Sequence, residues 1–142
     1  MKKTILLIFY IIFFSTSVYS DAKINPIYEG NIDAKIKLII YESLTCGHCA
    51  DFHNDVYPEL KKDFIDKGLV KIEFRSFPLD LAALNASKIA YCRNDSKSDI
   101  LHFLFKKQKT WAKGSTIDEI NLKLKKILDN EKFRIDIDKC IN

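Results

Sequence analysis

The stretch Ile36-Lys37-Leu38-Ile39-Ile40-Tyr41-Glu42-Ser43-Leu44-Thr45-Cys46-Gly47-His48-Cys49 decides the fold. Its first six residues are short, apolar and β-branched, which is the composition of a strand. The residues from about Cys46 to Lys67 read as a helix, with Phe52, Val56, Leu60 and Phe64 apolar and four apart. A CxxC pair that opens a helix after a strand has the geometry of thiol–disulfide chemistry. Unpaired N–H groups at a helix start favour an anion. The Cys46 thiol there is expected to ionise below its reference value of about 8.5, and a protonated His48 would add to the effect.

Working outward, Pro58 interrupts the helix and should kink it. Gly68 occupies the position of a C′ residue. Val70-Lys71-Ile72-Glu73-Phe74-Arg75 alternates with period two, as a second strand does. Strand, helix and strand in this order give a right-handed βαβ unit with parallel strands over residues 36–80. Residues 21–35 form an N-terminal arm, beginning with the polar leader Asp21 to Asn31.

Residues 81–142 read as helical. Leu81 to Cys92 carries Leu81, Leu84, Ala86 and Ile89. Ser98 is placed to cap a helix through Ile100, Phe103, Leu104 and Lys107, with Gly114 ending it. Thr116-Ile117-Asp118-Glu119 is a capping box, followed by Ile120, Leu124, Ile127 and Leu128 on one face. In the tail, Phe133, Ile135 and Ile137 alternate like a strand, whereas Phe133, Ile137 and Cys140 suit a helix; we adopt the helix. Two strands under helices make a poor independent core, so part of the fold is expected to be missing after Asn142.

The first twenty residues read differently from the rest. Lys2 and Lys3 precede an apolar run from Ile5 to Phe14, and Ser15 to Ser20 is small and polar, with Val18 and Ser20 at the −3 and −1 positions of a cut. This is the pattern of a secretory signal peptide over residues 1–20. The run falls short of the roughly 20 residues that a membrane span needs. Without Lys2 and Lys3, the 23 basic residues become 21 against 19 acidic ones. Such balance argues against a nucleic-acid stripe, and the lysines read as solvated helix faces.

Four cysteines in an exported chain suggest an oxidising compartment. With Cys46 and Cys49 in the CxxC, Cys92 and Cys140 are left for each other; the alternative is two unpaired buried thiols. A bridge between them would contribute about 4 kcal/mol in the chain-entropy model. A zinc site from Cys46, His48, Cys49 and His53 is the competing reading of the motif. Zinc ligands are usually spaced further apart, and His48 and His53 point to different helix faces. Haem attachment needs His directly after the second Cys, where Ala50 stands. His53 reads as a polar group on the helix surface, and His102 as a satisfied structural histidine. The aromatic residues Tyr91, Phe103 and Phe105 read as core, and Trp111 as packing a helix end near Gly114.

From Gly30 to Cys140 the chain resembles the DsbA-like branch of the thioredoxin superfamily. The residues that carry the resemblance are Gly30-Asn31-Ile32-Asp33-Ala34 and Tyr41-Glu42-Ser43-Leu44-Thr45-Cys46-Gly47-His48-Cys49-Ala50-Asp51-Phe52-His53. Pro58, Leu60 and Gly68 add to it, as do Phe74 to Leu79, Phe105, Gln108 and Trp111. The resemblance implies an α/β fold: a thioredoxin-like βαβ unit with a helical insertion domain, the C-terminal ββα part apparently missing. It implies Cys46 as the nucleophile, Cys49 as the buried resolving partner, and His48 as the group stabilising the Cys46 thiolate. Cys92 and Cys140 match a second, structural disulfide of some members.

Three departures from that pattern stand out. The dipeptide is Gly47-His48, where the DsbA-like proteins usually carry Pro-His. Ile40 takes the place of a carboxylate six residues before the first Cys, and Glu42, on the same strand face, is expected to replace it partly as proton acceptor. The prolines are Pro26, Pro58 and Pro78 only, so the cis-Pro loop that faces the CxxC in the family has no counterpart. The resulting expectation is an exported, periplasmic protein-disulfide oxidoreductase acting on cysteine-bearing exported proteins. A membrane redox partner is expected, and no cofactor or metal. A separate chain could supply the missing part. The alternative is an inactive remnant or a non-enzymatic fragment that binds a partner.

Overall fold

The computed structural model describes residues 23–129 and 133–142. The signal peptide read at residues 1–20 lies outside the described residues. Three strands form one sheet: β1 (Ile27–Glu29), β2 (Ile36–Glu42) and β3 (Val70–Ser76), in the order β1-β3-β2. β2 and β3 run parallel, with Ile36 opposite Val70 and Glu42 opposite Ser76. β3 is central, and its Ile72 and Phe74 are fully buried.

β1 corrects the reading of a loose arm. It pairs antiparallel with β3, Ile27 opposite Phe74. The pattern concealed it because the strand is three residues long and buries one apolar side chain, Ile27. Glu29, two residues on and therefore on the same face, meets polar partners instead of the core. Asn25 is stapled to the turn at Asn94: its N–H reaches Asn94 Oδ1 at 2.6 Å and its Nδ2 reaches the Asn94 carbonyl at 2.8 Å. Gly30 follows with φ +97°, where a Cβ would stand 2.5 Å from the Val70 carbonyl oxygen. That approach admits only glycine.

The helix after the CxxC is not regular. α1 (Gly47–Asp51) passes into a π-helical turn (Phe52–Val56), then α2 (Tyr57–Leu60), then a second π turn (Lys61–Ile65). Pro58 lies in the first turn of α2 and has no N–H to offer the preceding turn. The wider turn before it is closed by Tyr57 N–H on the Phe52 carbonyl, five residues back. This shifts the buried row. The four-apart set Phe52, Val56, Leu60 and Phe64 does not face the core as a whole, since Val56 and Phe64 are exposed. Ala50, His53, Tyr57 and Ile65 are buried in their place. Gly68 ends the segment with φ +72°, in the left-handed conformation of a C′ residue.

The remaining helices form a cap: α3 (Leu81–Tyr91), α4 (Asp99–Lys106), α5 (Gln108–Trp111), α6 (Ile117–Asp129) and α7 (Ile137–Ile141). Asp80 caps α3 through Ala83 N–H at 2.7 Å. Ser98 precedes α4 without capping it; its hydroxyl donates to Glu29 instead. The single helix read from Ser98 towards Gly114 breaks at Lys107 into α4 and α5. Trp111 is the last residue of α5 and is fully buried, its Nε1 donating to the Leu104 carbonyl at 2.9 Å. Cys92 at the end of α3 and Cys140 in α7 are bonded, with Cα atoms 5.5 Å apart. The architecture is α/β, a thioredoxin-like sheet and helix carrying a helical insertion. No helix of the described residues is long and apolar enough to cross a membrane.

Candidate redox site at the end of strand β2

β2 delivers the chain to the site. After Glu42 the backbone turns, Cys46 N–H closing on the Ser43 carbonyl at 3.0 Å. Cys46 is the N-cap of α1, with extended dihedrals φ −75° and ψ 119°. Its sulfur accepts the Cys49 N–H at 3.4 Å, so a thiol fills the position that a serine or aspartate usually takes. The turn is held from outside by four hydrogen bonds. Gln108 Nε2 of α5 donates to the carbonyls of Leu44 (2.9 Å) and Cys46 (2.8 Å). Thr45 Oγ1 donates to Asp80 Oδ2 at 2.8 Å. Leu79 N–H reaches Ser43 Oγ at 3.3 Å.

The two thiols are free and electrostatically unequal. The Cys46 thiol lies below its ordinary value of 9.0, because the Cys49 thiol and then the Cys49 N–H hydrogen-bond its sulfur. Burial pushes the Cys49 thiol up to about 11, and its bond to Cys46 and the Glu42 charge push the same way. One sulfur favours the thiolate and the other the thiol, at neighbouring positions.

His48 is the second residue of α1. Its ring is fully exposed, with Nδ1 3.7 Å from Asp51 Oδ2. It bears on Cys46 through its backbone N–H. His53 is a correction: it is buried, not on the helix surface. Its Nε2 lies 2.6 Å from Glu42 Oε2, its Nδ1 lies 2.9 Å from His102 Nδ1, and its ring stacks on Phe105 at 4.0 Å. His48 and His53 therefore diverge, and the four N/S groups of the motif do not converge on one point. Among the described residues no group of three or more His, Cys, Asp or Glu could hold a metal.

Sequence reasoning missed the buried polar row behind the cysteines. Glu29 accepts from His102 Nε2 at 2.8 Å, from the Tyr57 hydroxyl at 2.5 Å and from Ser98. Burial opposes the Glu29 charge, but the bonds from His102, Ser98 and Tyr57 outweigh it and hold the carboxyl well below the usual range. Burial and the bond to Glu29 together push the Tyr57 hydroxyl upward. One signal was available: His53 is one helical turn beyond the half-buried Cys49, and so shares its face.

An α/β sheet whose leading strand runs into a helix capped by the first thiol of a CxxC defines a thioredoxin-type protein. The chain belongs to the thioredoxin family, whose model, described as Thioredoxin, matches residues 22–142. It is 35% identical over 98 residues to a "Putative protein-disulfide oxidoreductase" of Rickettsia bellii, covering 68% of this chain and 38% of that one. It is 29% identical over 127 residues to "Disulfide bond formation protein D" of Bacillus subtilis, covering 78% and 57%. Among solved structures, alpha-DsbA1 of Wolbachia pipientis superposes with a TM-score of 0.68 at 29% identity, covering 83% of this chain and 60% of that one. The chain thus spans less than two thirds of the length of each of these relatives.

Proposed function

We propose that this chain is a protein thiol–disulfide oxidoreductase that forms disulfide bonds in exported proteins. The observation that carries the reading is the pairing of Cys46, whose thiolate the helix start favours, with Cys49, whose thiol burial favours. In this reading Cys46 Sγ is the nucleophile and forms the mixed disulfide with a substrate cysteine, and Cys49 resolves it. His48 contributes its N–H to the Cys46 thiolate. Cys92–Cys140 serves as a structural bridge outside the exchange. Tyr41, Phe77, Leu79 and Leu81 are exposed apolar residues on the segments that carry the turn before Cys46, and they offer an unfolded polypeptide a surface beside the reactive sulfur. Residues 1–20 serve as the export signal, which places the protein in the periplasm, where a membrane oxidant would restore the disulfide. The names of the Rickettsia bellii and Bacillus subtilis relatives agree with this activity.

A second reading has its own support. Among the described residues the outer edge of β2 is unpaired, and Ile36, Leu38, Ile39 and Tyr41 along it are exposed. An uncovered edge of this kind invites strand addition, as a partner-binding fragment would use it. Alkylation of the reduced protein against pH, mapped by peptide mass, separates the two. Rapid reaction of Cys46 alone at about pH 5–6 supports the oxidoreductase. Equal reaction of Cys46 and Cys49, starting only near pH 8–9 as for ordinary thiols, removes the basis for it.

A further inference from the structure

The outer edge of β2 ends at Glu42, and the turn after it carries Cys46. The inner edge is bonded to β3, and Phe77 N–H closes on the Glu42 carbonyl at 2.8 Å. Glu42 therefore turns its backbone groups towards β3. Successive residues of a strand turn theirs to opposite edges, so Ile36, Leu38 and Ile40 do as Glu42 does. The N–H and C=O groups of Lys37, Ile39 and Tyr41 point outward, where among the described residues no strand meets them.

Sheet edges are commonly guarded by charged side chains, and this one is not. Lys37 is laid back across β3, its Nζ 2.5 Å from Glu73 Oε2. Tyr41 leans the same way, its hydroxyl accepting from Arg75 Nη1 at 2.8 Å. Exposed apolar side chains flank the edge on both faces of the sheet. Ile36 (59% exposed) and Leu38 lie on the face of Ile72 and Phe74, Ile39 and Tyr41 (61%) on the opposite one. The hydrogen bonds that brace the turn before Cys46 are made with Gln108, Asp80 and Leu79, and none uses the outward groups of β2.

We propose that the open edge of β2 docks the substrate: an extended, cysteine-bearing polypeptide that adds to the sheet as an antiparallel strand, its cysteine at the Cys46 end. The proposal rests on the thiol–disulfide reading of Cys46 and Cys49. Antiparallel pairing is the more stable per residue. β2 runs towards Cys46, so the added strand runs away from it. The residues beside Tyr41, Ile39 and Lys37 are then those that follow the substrate cysteine in its own sequence. They pair through backbone groups, which every polypeptide has, and side chains only adjust the affinity. Apolar, strand-forming residues are favoured on both faces, and folded proteins bury such residues. The edge thus selects unfolded chains. With the strand in place, the substrate thiol has lost its proton to water and its thiolate attacks Cys46 Sγ of the Cys46–Cys49 disulfide. The substrate–Cys46 bond forms as the Cys46–Cys49 bond breaks, and the electron pair passes to Cys49 Sγ.

The test mixes the full chain, oxidised at Cys46 and Cys49, with two end-capped peptides of identical composition. In one a single cysteine precedes about six alternating valines and threonines; in the other it follows them. Opening of the Cys46–Cys49 bond is stopped with acid and read by mass. The first peptide should react at least about tenfold faster, since several backbone hydrogen bonds of modest net worth add up. Methylating one alternate set of its amide nitrogens should remove the advantage, and methylating the other set should keep it. Ile39→Pro takes an outward N–H from β2 without touching a bond to β3, and should bring the first peptide down to the rate of the second. Should that variant fail to fold, the methylated peptides decide. Equal rates for the two peptides, or a faster second one, overturn the docking mode. Equal rates on a chain that sediments as a dimer assign the edge to a second copy, and overturn it too. Reduced wild type whose Cys46 alkylates like an ordinary thiol overturns instead the reading on which the proposal stands.

Discussion

Gln108 donates from one Nε2 to the carbonyl oxygens of both Leu44 and Cys46, at 2.9 and 2.8 Å. A residue of the helical insertion thereby sets the backbone of the turn that carries the reactive sulfur. Gln108 is itself buried, so water does not substitute readily for its amide.

Gln108→Ala should therefore act at two levels. Leaving buried carbonyls without a donor costs about 1–3 kcal/mol, readable as a lowered urea midpoint. The looser turn should also slow Cys46 alkylation at mildly acid pH. A variant that loses stability but keeps the wild-type alkylation profile would confine Gln108 to a structural part.

The unequal thiols predict the pH dependence of the reduced protein. Cys49 is raised to about 11 from an ordinary 9.0. A raised value means that the fold favours the thiol. That stability is complete below the unfolded value and disappears as pH climbs through the folded one. Cys46 has the opposite sign: lowered, it contributes stability above the unfolded value and loses it as pH falls through the folded value. Reduced wild type should thus lose stability between about pH 9 and 11. Cys49→Ala should lack that part of the loss, which urea midpoints at the two ends of the window would measure.

Two glycines should behave in opposite ways. Gly30→Ala places a Cβ 2.5 Å from the Val70 carbonyl oxygen at a φ of +97°. Backbone strain of this kind costs about 1–3 kcal/mol, and the β1–β3 pairing should weaken with it. Gly47→Ala meets nothing within 4 Å and should change stability by less than about 0.5 kcal/mol. Thermal melts of the two variants check the contrast.

Replacing both Cys92 and Cys140 by Ala should cost about 2–4 kcal/mol, the usual range for a disulfide closing a loop of this size. Denaturant unfolding of the double variant against wild type, with Cys46 and Cys49 reduced in both, measures it. No loss of stability would show that packing of α3 on α7 is sufficient alone.

Much of the fold was legible because it follows short-range rules. β2 and β3 declared themselves by composition and alternation, Gly68 by its C′ position, and the cysteine N-cap by its place after a strand. What escaped depended on partners distant in sequence. β1 carries no strand pattern, since Glu29 faces inward to His102, more than seventy residues away. Val56 and Phe64 fit the four-residue spacing, but the π turns around Pro58 gave their places to His53 and Tyr57. His53 looked like a surface histidine because nothing local announces the Glu42 and His102 atoms that satisfy it when buried. The site was legible at its sulfurs and not behind them.

The bond between Cys92 and Cys140 makes the segment between them a covalent macrocycle, with α4, α5 and α6 inside the ring. His102, which meets His53, and Gln108, which holds the turn at Cys46, are carried on a closed loop rather than on an open chain. A single peptide bond cut anywhere in the ring leaves both pieces joined, and they separate only when a thiol reductant opens the closure. The scaffold of the CxxC thus hangs in part on a disulfide elsewhere in the same chain.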